Sequence, residues 1–448
     1  MSEFRKRNLY SYMNDGSTPP PFFEKVTLEE KSSDGYWISA VDINGDGKLD
    51  LITSGLAEGK VVWYENPTWK KHPIAEFPGP VALDHGNIAG RGLNDLVLCH
   101  DFGGCAFNCG PNDGKISWLE NPGTYEDGKP WTIHPVGDLI ATHRVKLGQF
   151  TQNKKQELFA IPVVGCQPYG EGVLKPVALT LFDVPDDVFS DAPWKSRLID
   201  NEKFVLVHDV LRDKFPGNEG ELLDSLLMSS AEGVNWYYYD EFSGTFKTFN
   251  ITEGDQTYAG LGFKGCSNAV PGRIGDDPYA YIVTIDPFHG NVVALLTRNK
   301  GKTLTDEPWT RTVLDTFGEF TPQHQSTGHH IVTGDFDGDG EDEFLIGLRG
   351  PMPHQGVFYY KIIDLEKGLV ERWRVSTVST SLIAVGDFDG DGCLDFATTS
   401  YYTPGFFLCD LPQVNVFYNR FAKKPSPTTE PRIIVTPQEI RQSSNAPV

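Results

Sequence analysis

The sequence predicts an all-β protein, a seven-bladed β-propeller closed by an N-terminal strand. Two recurring phrases support this prediction. One joins acids and glycines between two apolar runs, as in AVDINGDGKLDLITSG and VGDFDGDGCLDFATTS, and it has seven copies. The other carries a tryptophan and returns about every sixty residues with one degenerate copy, at Trp69, Trp131, Trp194, Trp309 and Trp373. A period of this length in an all-β pattern is typical of propellers.

Each unit is predicted to contain four short strands. The first and second are the apolar runs on either side of the acid-glycine turn, the third resembles KVVWYEN or VNWYYYD, and the fourth carries the tryptophan phrase. The last unit has a third strand, VNVFYN, without a fourth, whereas FFEKVTLEE precedes the first unit. We therefore expect the N-terminal strand to complete the last blade, which leaves no open sheet edge.

The predicted organisation has three parts. An N-terminal arm covers residues 1–20, the propeller covers 21–421, and a Pro/Ser-rich C-terminal tail covers 422–448. The tail contains KKPSPTTEP and QSSNAPV, a composition typical of exposed linkers.

Composition limits the classes of partner and the compartment. The net charge of -22 argues against nucleic acid or an anionic membrane as partner. No secretory signal or transmembrane run is visible, and the seven cysteines are odd in number and unevenly spaced, unlike a secreted disulfide framework. We expect an intracellular, cytoplasmic protein with a small-molecule partner, and a homodimer is compatible with this composition.

Three of the acid-glycine turns keep oxygen ligands at alternate positions. Alternating oxygens around a glycine-bearing turn suit Ca²⁺, and they can also hold Mg²⁺. We expect such an ion to be structural, because it would neutralise a tight turn, and the copies AGRG and QNKK indicate that the turn also forms without metal. The predicted ligands are Asp42, Asn44, Asp46 and Asp50; Asp335, Asp337, Asp339 and Glu343; and Asp387, Asp389, Asp391 and Asp395.

Three units share a histidine at one register. His143, His208 and His329 each lie seven residues before a phenylalanine of the acid-glycine phrase. Because the first strand of a propeller blade is innermost, side chains at its beginning converge on one mouth of the central channel. Three imidazoles with an open fourth position are the ligand set of a catalytic zinc. The alternative is that these histidines are merely polar residues at a wet rim.

The loops after the second strands face the same mouth. Among their polar residues we choose His100, Asp101, His289 and Tyr401 as candidates for the catalytic base and acid. Acids, bases and aromatic residues around a metal suggest a carbohydrate or another polyol as substrate.

Three cysteines lie in the corresponding loops of the second and third units. Cys105, Cys109 and Cys166 would form a structural zinc site if neighbouring blades bring them together. A disulfide between Cys105 and Cys109, or free thiols, would explain them equally well.

The repeated GDFDGDG followed by LDF or DEF resembles the FG-GAP or VCBS repeat of integrin-type and lectin propellers. Seven such units with a histidine trio at the channel mouth are similar to the propeller of the fungal aldos-2-ulose dehydratase (1,5-anhydro-D-fructose dehydratase) family. The resemblance implies a zinc held by His143, His208 and His329 that acts as a Lewis acid in eliminating water from a keto-sugar. Enzymes of the family continue into cupin and lectin-like domains, and isomerisation is assigned to a cupin, so from the propeller sequence alone we expect at most the dehydration.

Three functions are therefore in competition. The first is a zinc-dependent hydro-lyase acting on 1,5-anhydro-D-fructose or an aldos-2-ulose. The second is a non-catalytic propeller that binds glycans or protein, whose binding would survive loss of the three histidines. The third is a polysaccharide lyase, which the acidic charge balance disfavours because such an enzyme needs basic residues to meet uronates.

Overall fold

A computed structural model describes residues 20–104, 109–110, 112–125, 128–153, 155–165, 175–215, 223–257, 263–298, 303–305, 308–321 and 325–422. Every regular element within these ranges is a β-strand, and the strands form seven four-stranded antiparallel sheets. The predicted all-β propeller is confirmed. The described part of the chain includes no helix that could cross a lipid bilayer. The predicted N-terminal arm, except residue 20, and all but the first residue of the predicted tail lie outside the described residues.

The strands follow one another in chain order from blade to blade. The first, β1 (Phe23–Glu29), precedes blade one. Blades one to three comprise β2 (Trp37–Val41), β3 (Asp50–Ser54), β4 (Lys60–Glu65) and β5 (Lys70–Glu76); β6 (Ala82–Gly86), β7 (Asp95–His100), β8 (Lys115–Glu120) and β9 (Thr132–Asp138); and β10 (Thr142–Gly148), β11 (Glu157–Pro162), β12 (Leu179–Asp183) and β13 (Ser196–Asp200).

The remaining blades repeat this pattern. They comprise β14 (Val207–Asp213), β15 (Ser225–Ser230), β16 (Gly233–Asp240) and β17 (Thr245–Thr252); β18 (Asn268–Ile274), β19 (Asp277–Asp286), β20 (Val292–Thr297) and β21 (Thr310–Thr316); β22 (Gly328–Gly334), β23 (Glu343–Arg349), β24 (Gln355–Asp364) and β25 (Leu369–Ser376); and β26 (Ile383–Gly386), β27 (Asp395–Thr399) and β28 (Val414–Asn419).

The N-terminal strand closes the ring. β1 pairs antiparallel with β28, and blade seven has the strand order β1-β28-β27-β26. The innermost strands then contact one another around the axis, with β2 lying against both β6 and β26. The predicted closure is confirmed, and it joins the two ends of the propeller by backbone hydrogen bonds.

The second strand of most blades is buried along its whole length. β7, β11 and β15, for example, show no partly exposed position. Both faces of such a strand pack against neighbouring blades, so its sequence is continuously apolar and does not alternate. The outermost strands β5, β9 and β13 carry most of the exposed positions.

The last acid of the acid-glycine turn joins strands within a blade. In blade one, Asp50 accepts the backbone N–H of Ile43 at 3.0 Å and that of Asn66 at 2.8 Å. The Asn66 side chain then donates to two carbonyl oxygens, Leu49 O at 3.0 Å and Phe388 O of blade seven at 2.8 Å. These hydrogen bonds connect the turn of blade one to blade seven, and they do not require a metal ion.

Blades two and seven use the same connection. Asn121 donates to Ile43 O of blade one at 2.8 Å, and Asn419 donates to Phe336 O of blade six at 2.7 Å. The turn of blade two is the AGRG copy, which lacks the alternating acids, yet its Asp95 still accepts two backbone N–H groups. The acid at this position thus has a structural role that does not depend on an ion.

Candidate functional site

The three histidines of the shared register lie at the beginning of inner strands. His143, His208 and His329 lie in β10, β14 and β22, and all three are buried. Each strand pairing shows a register irregularity at the histidine, between Thr142 and Arg144, between Val207 and Asp209, and between Gly328 and His330. A bulge re-aims the side chain of the extra residue. This local geometry turns the three imidazoles towards one end of the channel.

A fourth imidazole joins this group. Ring centroids of His208 lie 5.4 Å from His143, 5.5 Å from His329 and 4.6 Å from His289, and His289 lies 5.2 Å from His329. We call these four residues the histidine cluster. His289 comes from the loop between β19 and β20 and has a positive φ of 42°. A non-glycine residue in this backbone region is uncommon and often marks a functional position.

The ligand atoms of His208, His289 and His329 all lie within 4.8 Å of one another. His143 is not part of this group. Its ring nitrogens instead face the Arg144 guanidinium at 3.0 Å and the Tyr36 hydroxyl at 3.1 Å. His289, predicted as an acid or base, is thus grouped with His208 and His329, whereas His143, predicted as a zinc ligand, lies beside this group. Which three histidines bind a metal stays a prediction.

Each of the three grouped histidines has an oxygen atom close to its Nδ1. His208 Nδ1 lies 2.9 Å from both Ser267 O and the Ser267 hydroxyl oxygen, and His329 Nδ1 lies 2.7 Å from Ser381 O. His289 Nδ1 contacts the side-chain oxygen of Gln325. A carbonyl oxygen can only accept, which favours the tautomer with the hydrogen on Nδ1 and the lone pair on Nε2.

This arrangement fits a zinc ion. Zinc-binding histidines commonly donate their other ring N–H to a carbonyl or carboxylate, which fixes the tautomer. His208 Nε2 and His289 Nε2 lie 2.9 Å apart, and His329 Nε2 is buried and has no hydrogen-bond partner among the described residues. Converging lone pairs, one of them unsatisfied, are the donor set that a cation with nitrogen ligands needs.

Electrostatics keep these imidazoles neutral. Burial lowers the pKa of His208 to about 3, and the nearby Arg144 guanidinium adds to the effect. Burial also lowers the pKa of His289 and of His329 well below the usual value. The positive charge of the Arg349 guanidinium lowers both pKa values further. A neutral imidazole is the form that binds a metal, so the ligand form predominates at neutral pH.

Two tyrosines border the cluster. Tyr36 occupies the same register in blade one as the histidines do in their blades, and Tyr401 follows β27. The Tyr401 ring lies 4.9 Å from His329 and 5.5 Å from Tyr36. Burial raises the pKa of both phenols, so both carry their proton at neutral pH. Tyr401 is thus the predicted acid or base that lies against the cluster.

An ion pair lies directly behind the cluster. Arg144 Nε donates to Asp209 Oδ1 at 2.8 Å, and Arg144 is almost completely buried. Burial alone would raise the pKa of Asp209, but the Arg144 guanidinium outweighs it and brings the pKa to about 2. The central channel opens beyond this pair as a cavity of about 580 Å³, lined by Asp84, Lys146 and His330 among others.

His100 and Asp101, both predicted as catalytic candidates, contact each other within blade two. His100 Nδ1 lies 2.6 Å from Asp101 Oδ2, and His100 Nε2 lies 2.9 Å from the Ser117 hydroxyl. The ring also packs on Phe77. Both nitrogens of His100 are thus engaged within blade two, and no hydrogen bond or ring contact among the described residues joins His100 or Asp101 to the cluster. They fasten a loop of blade two and do not meet the other candidate residues.

The cysteine prediction can be followed only at Cys109. Cys105 and Cys166 lie outside the described residues. Cys109 is disulfide-bonded, so its sulfur is not free as a thiolate ligand. A disulfide is one of the interpretations that the sequence left open, and the zinc site, which would need the two cysteines outside the described residues, stays a prediction.

The acid-glycine turns of blades six and seven bring oxygens together. Ligand oxygens of Asp335, Asp337 and Asp339 lie within 4.8 Å of one another, as do those of Asp387, Asp389 and Asp395. The Lys361 ammonium lies among the first set, 2.7 Å from Asp339 and 3.3 Å from Glu343.

The turn of blade one has the same backbone arrangement. Asp42 accepts the N–H groups of Gly45 and Gly47 at 2.7 and 2.9 Å. Asn44 and Asp46 each accept one further backbone N–H of the turn. In blade seven, Asp391 likewise accepts the N–H of Cys393, and the Arg420 guanidinium lies 2.7 Å from Asp389.

Sequence reasoning missed the groups that hold the histidines. Ser267 and Ser381 occupy the histidine register in units that lack the histidine. That shared register was the only feature of the sequence that could have indicated their contact with the histidines. Gln325 had no signal, because it lies before β22 in no repeated phrase.

Comparison with known proteins gives matches in sequence and in fold. Residues 113–299 match a family model described as the β-propeller domain of aldos-2-ulose dehydratase. Aldos-2-ulose dehydratase from Phanerodontia chrysosporium is 31% identical over 420 residues, which are 89% of this chain and 46% of that protein. The chain therefore spans about half the length of this curated relative.

Among solved structures, U3-55K matches with a TM-score of 0.51 at 9% identity, covering 89% of this chain and 100% of the other. That likeness concerns the fold alone. The sequence matches carry the chemical resemblance, and they support the one inferred above from the repeats and the histidines: the chain is similar to aldos-2-ulose dehydratase over most of its own length.

Proposed function

We propose that this protein is a zinc-dependent sugar dehydratase, a hydro-lyase that removes water from a keto-sugar. The observation that carries the proposal is the group formed by His208, His289 and His329, in which each Nδ1 is held by a carbonyl oxygen and each Nε2 is left for a metal. The 31% identical relative is named for dehydration of an aldos-2-ulose, which supports the same reaction class here.

The substrate class follows from that relative and from the site. An aldos-2-ulose or 1,5-anhydro-D-fructose has a carbonyl beside a C–H bond and a hydroxyl one carbon further, as elimination requires. A bound zinc ion would supply Lewis-acid polarisation of the substrate carbonyl or an adjacent hydroxyl. A base must then take the proton from carbon while an acid assists departure of the hydroxyl as water.

The residues around the cluster suggest the base and the acid. His143 lies outside the ligand group, is buried, and is kept neutral by burial and by Arg144, which lower its pKa well below the usual value. It is our candidate for the base. Tyr36 and Tyr401 keep their protons at neutral pH and are our candidates for the acid.

Metal removal tests the proposal. We expect protein purified without chelator to contain one zinc per chain and to convert 1,5-anhydro-D-fructose or an aldos-2-ulose to an enone that absorbs in the ultraviolet. Chelation should abolish that conversion and added Zn²⁺ should restore it. Full activity of the zinc-stripped protein would refute the mechanism, and glycan binding that survives removal of the metal, without any elimination, would favour a binding propeller.

We also propose that the turns of blades one and seven hold Ca²⁺ or Mg²⁺. Burial, together with repulsion from neighbouring acids, raises the pKa of Asp50 to about 7 and that of Asp395 to about 7. The turn of blade six is the least suited, because the Lys361 ammonium contacts three of its acids, whereas in blade seven the exposed Arg420 guanidinium contacts Asp389 and Asp391.

The raised pKa values predict a pH-dependent effect of Ca²⁺. In an unfolded chain these carboxyls ionise near pH 4, whereas in the folded chain they do so near pH 7. The stability that they contribute as neutral groups is therefore lost as pH rises through about 7. Because Ca²⁺ binds the ionised form, we expect it to raise the melting temperature more at about pH 8 than at about pH 5. An equal rise at both pH values, or a rise unaffected by Asp387→Asn with Asp42→Asn, would contradict the assignment.

A further inference from the structure

One histidine of the metal-ligand group is oriented differently from the other two. His329 is held by the backbone carbonyl of Ser381, and His208 by the backbone carbonyl of Ser267 with the Ser267 hydroxyl at the same distance, at the edges of neighbouring blades. His289 is held by a side chain, that of Gln325, although all three imidazoles are buried. Its orientation therefore depends on groups that substitution can remove without deleting a ligand.

Gln325 is itself fixed by a buried arginine. Arg349 Nη2 donates to Gln325 Oε1 at 2.9 Å, and Arg349 Nε donates to Ser326 O at 2.8 Å. Both Gln325 and Arg349 are almost inaccessible to solvent. A guanidinium has only donors, so the amide atom that faces it must be the oxygen and not the nitrogen.

That constraint passes on to the histidine. The Gln325 oxygen fixed by Arg349 is the same atom that contacts His289 Nδ1. Because an amide oxygen only accepts, Nδ1 of His289 must donate, and its Nε2 is left with a lone pair directed at His208 Nε2, 2.9 Å away. Without the arginine, the amide could turn over and present its NH₂ group, which would favour the other tautomer.

The backbone around His289 is tied to the same segment. Ser326 N donates to His289 O, and Gly328 N donates to Gly290 O, each at 2.8 Å. These bonds hold the loop against β22 whatever side chain occupies position 325. Replacing Gln325 should therefore change the orientation of the imidazole more than the position of the loop.

We propose that Gln325, held by Arg349, is the positioning residue that selects the metal-binding tautomer of His289. The proposal rests on the metal site of the proposed function and adds that one of its three ligands is oriented by a side-chain pair. Gln325 contacts neither metal nor substrate in this role, so its effect is exerted through His289.

Metal titration of variants tests this role. We expect Gln325→Leu to lower the affinity for Zn²⁺ by roughly 10–100-fold, the usual cost of losing such a partner. The Co²⁺-loaded variant should also show an altered visible absorption spectrum, because the ligand geometry changes. Gln325→Glu keeps an acceptor for both His289 and Arg349, so we expect it to retain the affinity of the unmodified chain.

A matched control is available at the same mouth. Gln355 is equally buried, and its amide donates to Thr377 O at 3.0 Å, away from the histidines. Gln355→Leu should leave both the Zn²⁺ affinity and the Co²⁺ spectrum unchanged. Thermal unfolding of all three variants separates a misfolded protein from one that has lost only the orientation of His289.

The outcomes separate this inference from the function it rests on. If the unmodified chain binds Zn²⁺ and Gln325→Leu, still folded, binds it with equal affinity and an unchanged Co²⁺ spectrum, the positioning role is refuted while the proposed function stands. If the unmodified chain binds no Zn²⁺, the metal site is refuted and the positioning role with it.

Discussion

Replacing His208 by alanine is expected to remove zinc from the protein and to abolish elimination of water from a keto-sugar. His208 is central to the cluster, because its ring lies within 5.5 Å of each of the other three histidines. Loss of a ligand should cost more than the roughly 10–100-fold in affinity that loss of an outer partner costs. Zinc content by mass spectrometry and enone absorbance measure the two effects.

His330 provides the control for this substitution. It adjoins His329 in sequence, but its Nδ1 accepts the backbone N–H of Ile383 and it lines the channel behind the cluster. His330→Ala should keep its zinc. Loss of zinc from this variant, or retention of zinc and activity by His208→Ala, would contradict the proposed ligand group.

The same measurement distinguishes the two candidate trios. The repeat register favours His143 as the third ligand, whereas the geometry favours His289. We expect His289→Ala to lose zinc, and His143→Ala to keep zinc while losing activity as the candidate base. The opposite pattern would restore the trio inferred from the sequence.

Replacing Asp209 by alanine is expected to destabilise the fold by about 3–5 kcal/mol, the cost of leaving a buried charge without its partner. Arg144 is about 1% exposed and pairs with Asp209 at 2.8 Å. Since the folded pKa of Asp209 is lowered to about 2, the stability that it contributes is present above about pH 4 and is lost as pH falls towards 2. Urea unfolding at neutral pH measures the difference.

Two further variants test the cause of that loss. The exposed pair between Lys155 and Asp186 has a similar separation of 2.6 Å, so Asp186→Ala should change stability by less than about 1 kcal/mol. Removing both charges of the pair, in Arg144→Met with Asp209→Leu, should recover most of the stability lost in Asp209→Ala. If the double variant is no more stable than the single one, an uncompensated charge is not the reason.

Several parts of the fold could be predicted because the same sequence pattern occurs in many blades. The acid-glycine turn and the tryptophan phrase recur in nearly every blade, so a degenerate copy can be recognised by aligning it with the other copies. The missing fourth strand of the last unit and the extra strand before the first pointed to the observed pairing of β1 with β28. The tryptophan phrase itself was less informative about function, since it belongs to the outer strands.

The site was predicted less completely. The shared register identified His208 and His329, because rotational symmetry carries equal positions to one ring. It also included His143, whose nitrogens face Arg144 and Tyr36. Rotational symmetry predicts that equivalent side chains lie at the same level of the channel. It does not predict which residues each side chain contacts, because those neighbours differ from blade to blade.

The amino-acid sequence by itself determined the number of blades, the closure by the N-terminal strand and the register of the inner-strand histidines. These properties are periodic or local in the sequence, so they do not depend on which distant residues come into contact. Only the tertiary structure decided that His289 lies with His208 and His329, that Ser267, Ser381 and Gln325 contact the Nδ1 atoms of these histidines, and that Lys361 lies among the acids of one turn. No period relates these residues, because loop paths and the closed ring bring them together.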